Sequence, residues 1–242
     1  MQATEFWDDF FSKGQEGGRG EIEMPDINDP TLKRALEHFG NVENKTVIDL
    51  GCGRGGTSLF FAYYGANVIS VDLSEVAINN LSKYCQDNGI DNITPITLSA
   101  QEIKKLEKAD FIYGSMILHH IEPFEEFASN LRNALKSGGK GFFCENNARS
   151  KIMIWFRQNI VGKLWVPKYG DPDEFPLTPS EIDELRKYFH VEVEFPELLY
   201  FRMVSKYLFR GHFRKPFQIL DDYFFKYPAL RKHSYRQYLC LS

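Results

Sequence analysis

Val47-Ile48-Asp49-Leu50-Gly51-Cys52-Gly53-Arg54-Gly55-Gly56 is the stretch on which the reading of this 242-residue chain turns. Residues 45–50 form a β-branched, apolar run that breaks off at glycine, the pattern of a buried strand entering a tight turn. A helix reads over 57–64 directly after it. Glycines at this place let the backbone turn sharply and approach a ligand with no Cβ in the way. The helix that follows turns its unpaired first N–H groups toward the same spot. A second strand reads from Asn67 to Asp72, which sets Asp72 at its end, 21 residues past Gly51. A carboxylate there accepts hydrogen bonds from a ribose diol. Together these features describe a nucleoside-containing cofactor lying over the carboxyl edge of a sheet.

The glycines alone leave the cofactor open. Gly51 to Gly56 formally satisfies G-x-G-x-x-G, which admits an NAD(P)-dependent oxidoreductase. Asp49, two residues before the first glycine, argues the other way. A pyrophosphate bound at this turn is repelled by a buried carboxylate, whereas a cationic ammonium or sulfonium centre is attracted. S-adenosylmethionine carries both cations and a ribose for Asp72. The chain also lacks a Tyr-x-x-x-Lys pair for hydride transfer. A non-catalytic module that merely binds S-adenosylmethionine is the remaining alternative.

Outward from this stretch, apolar runs alternate with amphipathic ones. Ser74 is a helix N-cap, and Ala77, Ile78, Leu81, Tyr84 and Cys85 share one helical face that ends at Gly89. Strands follow near 92–98 and 110–115. A helix with Phe124, Phe127, Ala128, Leu131 and Leu135 at helical spacing stops at Ser137-Gly138-Gly139, and a fifth strand covers 140–145. Strands alternating with helices imply a parallel sheet covered on both faces. Residues 147–177, with three prolines and two tryptophans, read as an irregular inserted lid. Thr178-Pro179-Ser180-Glu181 is a capping box with proline in the first turn. Two late strands, near 191–201 and 235–241, flank a polar helix-like stretch and suggest an antiparallel sheet edge. At the other end, residues 14–20 read as a flexible segment and 31–39 as a short helix. The expected domain is single, 1–242: an N-terminal cover (1–44), a cofactor-binding core (45–146), the lid (147–177) and the C-terminal part of the sheet (178–242).

Composition narrows the class. The chain is 43% hydrophobic and 26% charged, enough to build a core. Its net charge of −4 argues against a nucleic-acid-coating protein. No apolar run reaches the ~18–20 residues that span a bilayer, so stable membrane insertion is not expected. No signal peptide is evident, and four scattered cysteines form neither a disulfide framework nor a metal site. The expectation is a cytoplasmic protein with metal-independent chemistry. The charge is unevenly spread: residues 201–242 hold nine Lys/Arg against two Asp/Glu, with 11 of the aromatic residues. Such a tail attracts an anionic substrate or a membrane surface, or is simply a packed helix and strand with a solvated basic face.

The sequence resembles the class I S-adenosylmethionine-dependent methyltransferases, especially the small-molecule branch akin to the ubiquinone-biosynthesis methyltransferases. Four pieces over residues 45–146 carry the resemblance: VIDLGCGRGG, VISVDLS at 68–74, ADFIYGSMILHHI at 109–121 and LRNALKSGGKGFFCEN at 131–146. It implies an α/β fold, a Rossmann-like doubly wound sheet of seven strands, mostly parallel with an antiparallel last strand. It further implies methyl transfer from S-adenosylmethionine, leaving S-adenosylhomocysteine, to an oxygen or nitrogen of a small acceptor, anionic or lipid-like if the basic tail takes part. Asp49, Gly51, Cys52 and Gly53 would hold the methionine end of the cofactor. Asp72 would take the ribose and Leu73 pack on the adenine. Family members often carry an acid after the third strand for the adenine amino group; here Ser99, Ala100 and Gln101 stand in that place. Ser115 and Met116 would line the floor beside the methyl group.

A base matters only when the acceptor is a hydroxyl or a protonated amine. His119 and His120, after the fourth strand, are the candidates, with His119 the first choice. Both also fit a structural role, capping the loop or pairing with a neighbour such as Glu122. Glu145 and Asn146 leave the fifth strand where a polar substrate can meet them, or simply make a strand-end turn. Trp155 and Arg157 in the lid suit a ring or an acidic group on the substrate. Trp7 and Arg19 belong to an N-terminal segment that closes over the site.

Overall fold

The computed structural model describes residues 3–16, 22–159, 175–209 and 211–242. β1 (Thr46–Leu50) and β2 (Asn67–Asp72) lie side by side and parallel, joined through α3 (Gly56–Tyr63). α4 (Glu75–Asn88) then returns the chain to β3 (Ile93–Thr97), which extends the sheet beyond β2. A 3₁₀ turn over Ala100–Lys105 leads into β4 (Ala109–Ser115) on the other side of β1. α5 (Phe124–Ala134) passes directly into β5 (Leu135–Asn146). α6 (Lys151–Asn159) and α7 (Pro179–Arg186) precede β6 (Val191–Glu194), and the chain closes with β7 (Arg236–Leu241). The strand order is β3-β2-β1-β4-β5-β7-β6, with β7 antiparallel to both of its neighbours. This is the expected seven-stranded doubly wound sheet.

Local signals explain most of the boundaries. Ser74 caps α4 by accepting the Ala77 amide at 3.2 Å, and Gly89 ends it in the left-handed region at φ 63°. Thr178 and Glu181 form the reciprocal capping box of α7. Asp29 caps α2 (Pro30–Phe39) by accepting the Thr31 and Leu32 amides. Alternate strand residues then divide between two cores. Leu50, Val71, Ile112, Phe143 and Leu239 pack under α5 and α7. Val47, Val68, Phe111, Phe142 and Cys240 pack under α2, α3 and α4.

Four expectations are corrected. The strand expected over 191–201 stops at Glu194, and Tyr200–Leu208 forms α8 instead. β6 is the last strand of the sheet, and Pro196 lacks the N–H a longer ladder would use. Asp221, from α9 (Arg214–Phe225), then accepts the Phe201 and Arg202 amides and starts α8 from 20 residues away. α10 (Pro228–Arg231) completes the excursion. The segment expected to be irregular after Asn146 contains α6, anchored at its base by the Asn147–Leu177 bridge; residues 160–174 of it lie outside the described residues. α1 (Ala3–Glu16) carries helix through residues 14–16, where flexibility was expected, and residues 17–20 of that segment are also outside them. β5 begins at Leu135, which pairs with Ala109; the chain then bulges through Gly138 at φ +73° and the regular ladder with β4 resumes at Lys140.

Candidate active site

The strand order reverses between β1 and β4, and a crevice forms where their carboxyl ends part. A cavity of about 410 Å³ occupies it, within the range of small-molecule sites. The turn after β1 makes one wall. Gly51 holds φ +70°, and a Cβ there would lie 2.9 Å from the Ile117 side chain, so the turn closes only without one. The Gly51 and Cys52 amides both donate to the Val71 carbonyl, which ties this turn to β2.

Asp72 follows at the end of β2. Its carboxylate accepts the Gly53 amide at 2.8 Å and the Ser74 amide at 2.9 Å, one on each oxygen. The Leu73 amide adds a third backbone bond, and Asp72 lines the cavity. Burial pushes its carboxyl up, opposed by these backbone bonds. Leu98, Ser99, Ala100 and Gln101 continue the wall past β3. The Gln101 side-chain amide donates to the Pro123 carbonyl at 2.8 Å. That bond fixes the orientation of Gln101 and leaves its Oε1 buried with no partner. A buried acceptor without a donor costs free energy.

β4 supplies the floor. Ser115, Met116 and Ile117 line it, and Met116 is held at φ +56° while its amide donates to the Cys144 carbonyl. A non-glycine residue in the left-handed region stores strain, which collects at functional sites. Beyond it, the turn Leu118–His120 separates the two histidines. His120 lines the cavity; His119 does not. The His119 side chain is 1% exposed, and its Nδ1 lies 2.6 Å from Glu145 Oε2. Glu145 Oε1 accepts the Ile117 and Leu118 amides at 2.9 and 2.7 Å. His120 rather than His119 thus faces the cavity, and His119 pairs with Glu145 rather than Glu122. Glu145 itself is fully buried behind the turn, away from the cavity.

Other candidates sit elsewhere. Asp49 is buried behind the glycine turn, where its Oδ2 accepts the Thr57 and Ser58 hydroxyls at 2.6 Å each. Burial, against those bonds, pushes its carboxyl up to about 6. The Cys52 thiol packs into the core under α2 and α4, and burial holds it well above its ordinary range. Leu73 is at the cavity wall. Asn146 is buried, its carbonyl accepting the Leu177 amide. Trp155 is 58% exposed on α6 and does not line the cavity. Arg19 and the Arg157 side chain lie outside the described residues.

Trp7 does reach the site, and α1 brings two residues that sequence reasoning missed. Phe11, one turn after Trp7, lines the cavity beside Gly53. The four-residue spacing of Trp7 and Phe11 was the available signal. Asp8 accepts the Ser74 hydroxyl and, at 3.4 Å, the Val76 amide, pinning α1 to the start of α4. Trp7 in turn meets His120 edge to face, with ring centroids 5.5 Å apart.

A family profile described as a methyltransferase domain matches residues 23–187. The ubiquinone biosynthesis O-methyltransferase of Rickettsia canadensis is 26% identical over 157 residues, 64% of this chain and 65% of that one. The enzyme of the same name from Hydrogenovibrio crunogenus is 27% identical over 192 residues, 76% and 74% of the two chains. The match to the first of these relatives thus spans just under two thirds of its length. Among solved structures, a SAM-dependent methyltransferase from Aquifex aeolicus superposes with a TM-score of 0.54 at 18% identity, over 76% of this chain and 89% of that one. The DhpI–SAM–HEP complex gives 0.57 at 15% identity, over 98% and 94%. At these identities the structural likeness speaks for the fold.

Proposed function

This chain belongs to the methyltransferase domain family, and from that premise we propose that it transfers a methyl group from S-adenosylmethionine to an oxygen or nitrogen of a small acceptor. The observation that carries the reading is the cavity at the β1–β4 crevice, bounded by Gly51, Asp72, Gln101, Met116 and His120. When bound there, the cofactor supplies an electrophilic methyl on a sulfonium and leaves as S-adenosylhomocysteine.

The residues present fit that group. Asp72, at the cavity wall, keeps acceptor capacity beyond its backbone bonds for a ribose hydroxyl. Gln101 Oε1, buried and unpartnered, is an acceptor for the adenine amino group and takes the place of the acid usual in relatives. Ser99 and Ala100 flank it, with Leu73 against the ring. Burial raises the cost of ionising both Asp49 and Asp72, with the Asp72 charge adding to it at Asp49 and the Asp8 charge at Asp72. A cation at the methionine end relieves it. Gly51 and Gly53 let the chain approach that end closely, and Ser115 and Met116 support it from below.

Methyl transfer is an in-line displacement whose barrier falls chiefly through positioning. Trp7 and Phe11 exclude water from above, and His120 is the group placed to take a proton from the acceptor. His119 and Glu145 hold the turn that carries His120. The basic, aromatic stretch 201–242 supports an acceptor that is anionic or lipid-like. Four free, buried cysteines support a reducing, cytoplasmic setting.

Calorimetric titration with S-adenosylhomocysteine, beside NADH and NADPH, tests the reading. Micromolar binding of the first alone is expected, with Asp72→Ala losing at least about tenfold from the charge-assisted bonds it removes. Binding of a nicotinamide nucleotide instead, or an unchanged affinity in Asp72→Ala, overturns it.

A further inference from the structure

β6 and β7 are adjacent antiparallel strands, which a two-residue turn is able to join. The chain instead spends residues 195–235 on an excursion through α8, α9 and α10. Its inner side is built into the protein. Asp221 is buried and caps α8 through the Phe201 and Arg202 amides, both at 2.9 Å. The Tyr200 hydroxyl reaches Ser150 at 2.6 Å, and Asn147 donates to the Ser234 carbonyl at 2.9 Å.

The outer side is different. Among the described residues, seven of the fifteen exposed large hydrophobic side chains fall within residues 209–230. Ile219 is 67% exposed, Phe213 64% and Tyr223 51%. Arg214, Lys215, Lys226, Arg231 and Lys232 stand exposed among them, and Asp222 is the one exposed acid of residues 201–242 among those described. Those 42 residues carry +7 while residues 1–200 carry −11. Lys226 lies 6.0 Å over the Tyr223 ring, so cation and aromatic face outward together. Register also places this surface. Asn146, at the end of β5, pairs with Arg236, at the start of β7, so the excursion leaves the sheet at the same carboxyl edge that holds the cavity.

We propose that the outer face of α8–α10 docks on an anionic lipid bilayer. Apolar and aromatic side chains interleaved with Lys and Arg seat at the headgroup level, drawn there by the surface charge. The attachment is peripheral, since no helix among the described residues is long and apolar enough to cross a membrane. A second copy of the chain is disfavoured as occupant, because a two-fold contact would bring one basic face against another. The proposal stands on surface chemistry alone and does not depend on the methyl-transfer reading.

Cosedimentation of the full chain, without cofactor, tests it with vesicles of phosphatidylcholine and with vesicles containing about a third phosphatidylglycerol. Binding to the second alone is expected, weakening as salt rises. The pair K215E and K226E should lose at least about tenfold in partitioning. I219S with Y223S should lose several-fold while leaving the charge intact, with circular dichroism confirming that both variants are folded. Equal binding to neutral and anionic vesicles, no binding to either, or indifference to the charge reversal overturns the proposal. So does a lipid-free sedimentation velocity run in which I219S with Y223S lowers the mass of an oligomer, which assigns the face to self-association.

Discussion

Asp49 carries the clearest pH consequence. Its carboxyl is pushed up from 3.8 to about 6 in the folded chain, first by burial. Between those values the folded state binds more protons than the unfolded state, so stability falls as pH rises through the window. About two pH units at ~1.4 kcal/mol each amount to roughly 3 kcal/mol by neutral pH. Asp49→Asn keeps an oxygen for the Thr57 and Ser58 hydroxyls and removes the titration. The stability difference between variant and parent, from urea unfolding, should grow from about pH 4 to pH 6 and then level off. A difference independent of pH contradicts the assignment. The two histidines separate by a different measurement. His120→Ala should lower kcat at least about a hundredfold on a hydroxyl acceptor with little loss of stability. His119→Ala should instead cost roughly 1–3 kcal/mol of stability, because it strips a buried partner from Glu145. The reverse pattern returns the base to His119. Adjacency in sequence made these residues indistinguishable, since neighbouring side chains point apart and only the turn decides which one meets the cavity.

Among the elements, α1 has the most direct bearing on the site. Trp7 and Phe11 cover the cavity, and Asp8 is the contact that holds their helix to the N-terminus of α4. A hydrogen bond to a carboxylate contributes about 1.5–3 kcal/mol. Asp8→Ala should therefore raise the Kd for S-adenosylhomocysteine about tenfold, chiefly through faster release, while the melting of the sheet is little changed. Unchanged affinity would mean that α1 stays closed without the latch. α4 was legible at both ends and α7 at its start, because Ser74, Gly89, Thr178 and Glu181 act on atoms a few residues away. α8 was not legible. Its cap, Asp221, comes from another helix, and its aromatic and β-branched residues suit a strand equally well.

At the scale of the whole molecule, charge and topology point the same way. The acidic bulk of the chain and the basic excursion meet at one edge of one sheet, so an anionic surface that attracts α8–α10 brings the cavity edge toward it. Orientation of that kind follows from the summed field rather than from any single pair. The sequence by itself determined the alternation of strands and helices, the glycine turn after β1 and the acid at the end of β2. Those features rest on local sterics, periodicity and backbone hydrogen bonding, which act over a few residues. Gly51, Gly53 and Asp72 were named from that pattern, Leu73, Ser99 to Gln101, Ser115 and Met116 from the family resemblance, and all line the cavity. Only the tertiary structure decided that Glu145 turns inward to hold the His119 turn, that Asp49 and Cys52 stand behind the wall, and that α1 is latched over it. Each of these depends on which distant segments pack together. A buried carboxylate takes the donors that packing brings within reach, and sequence distance carries no record of which those are.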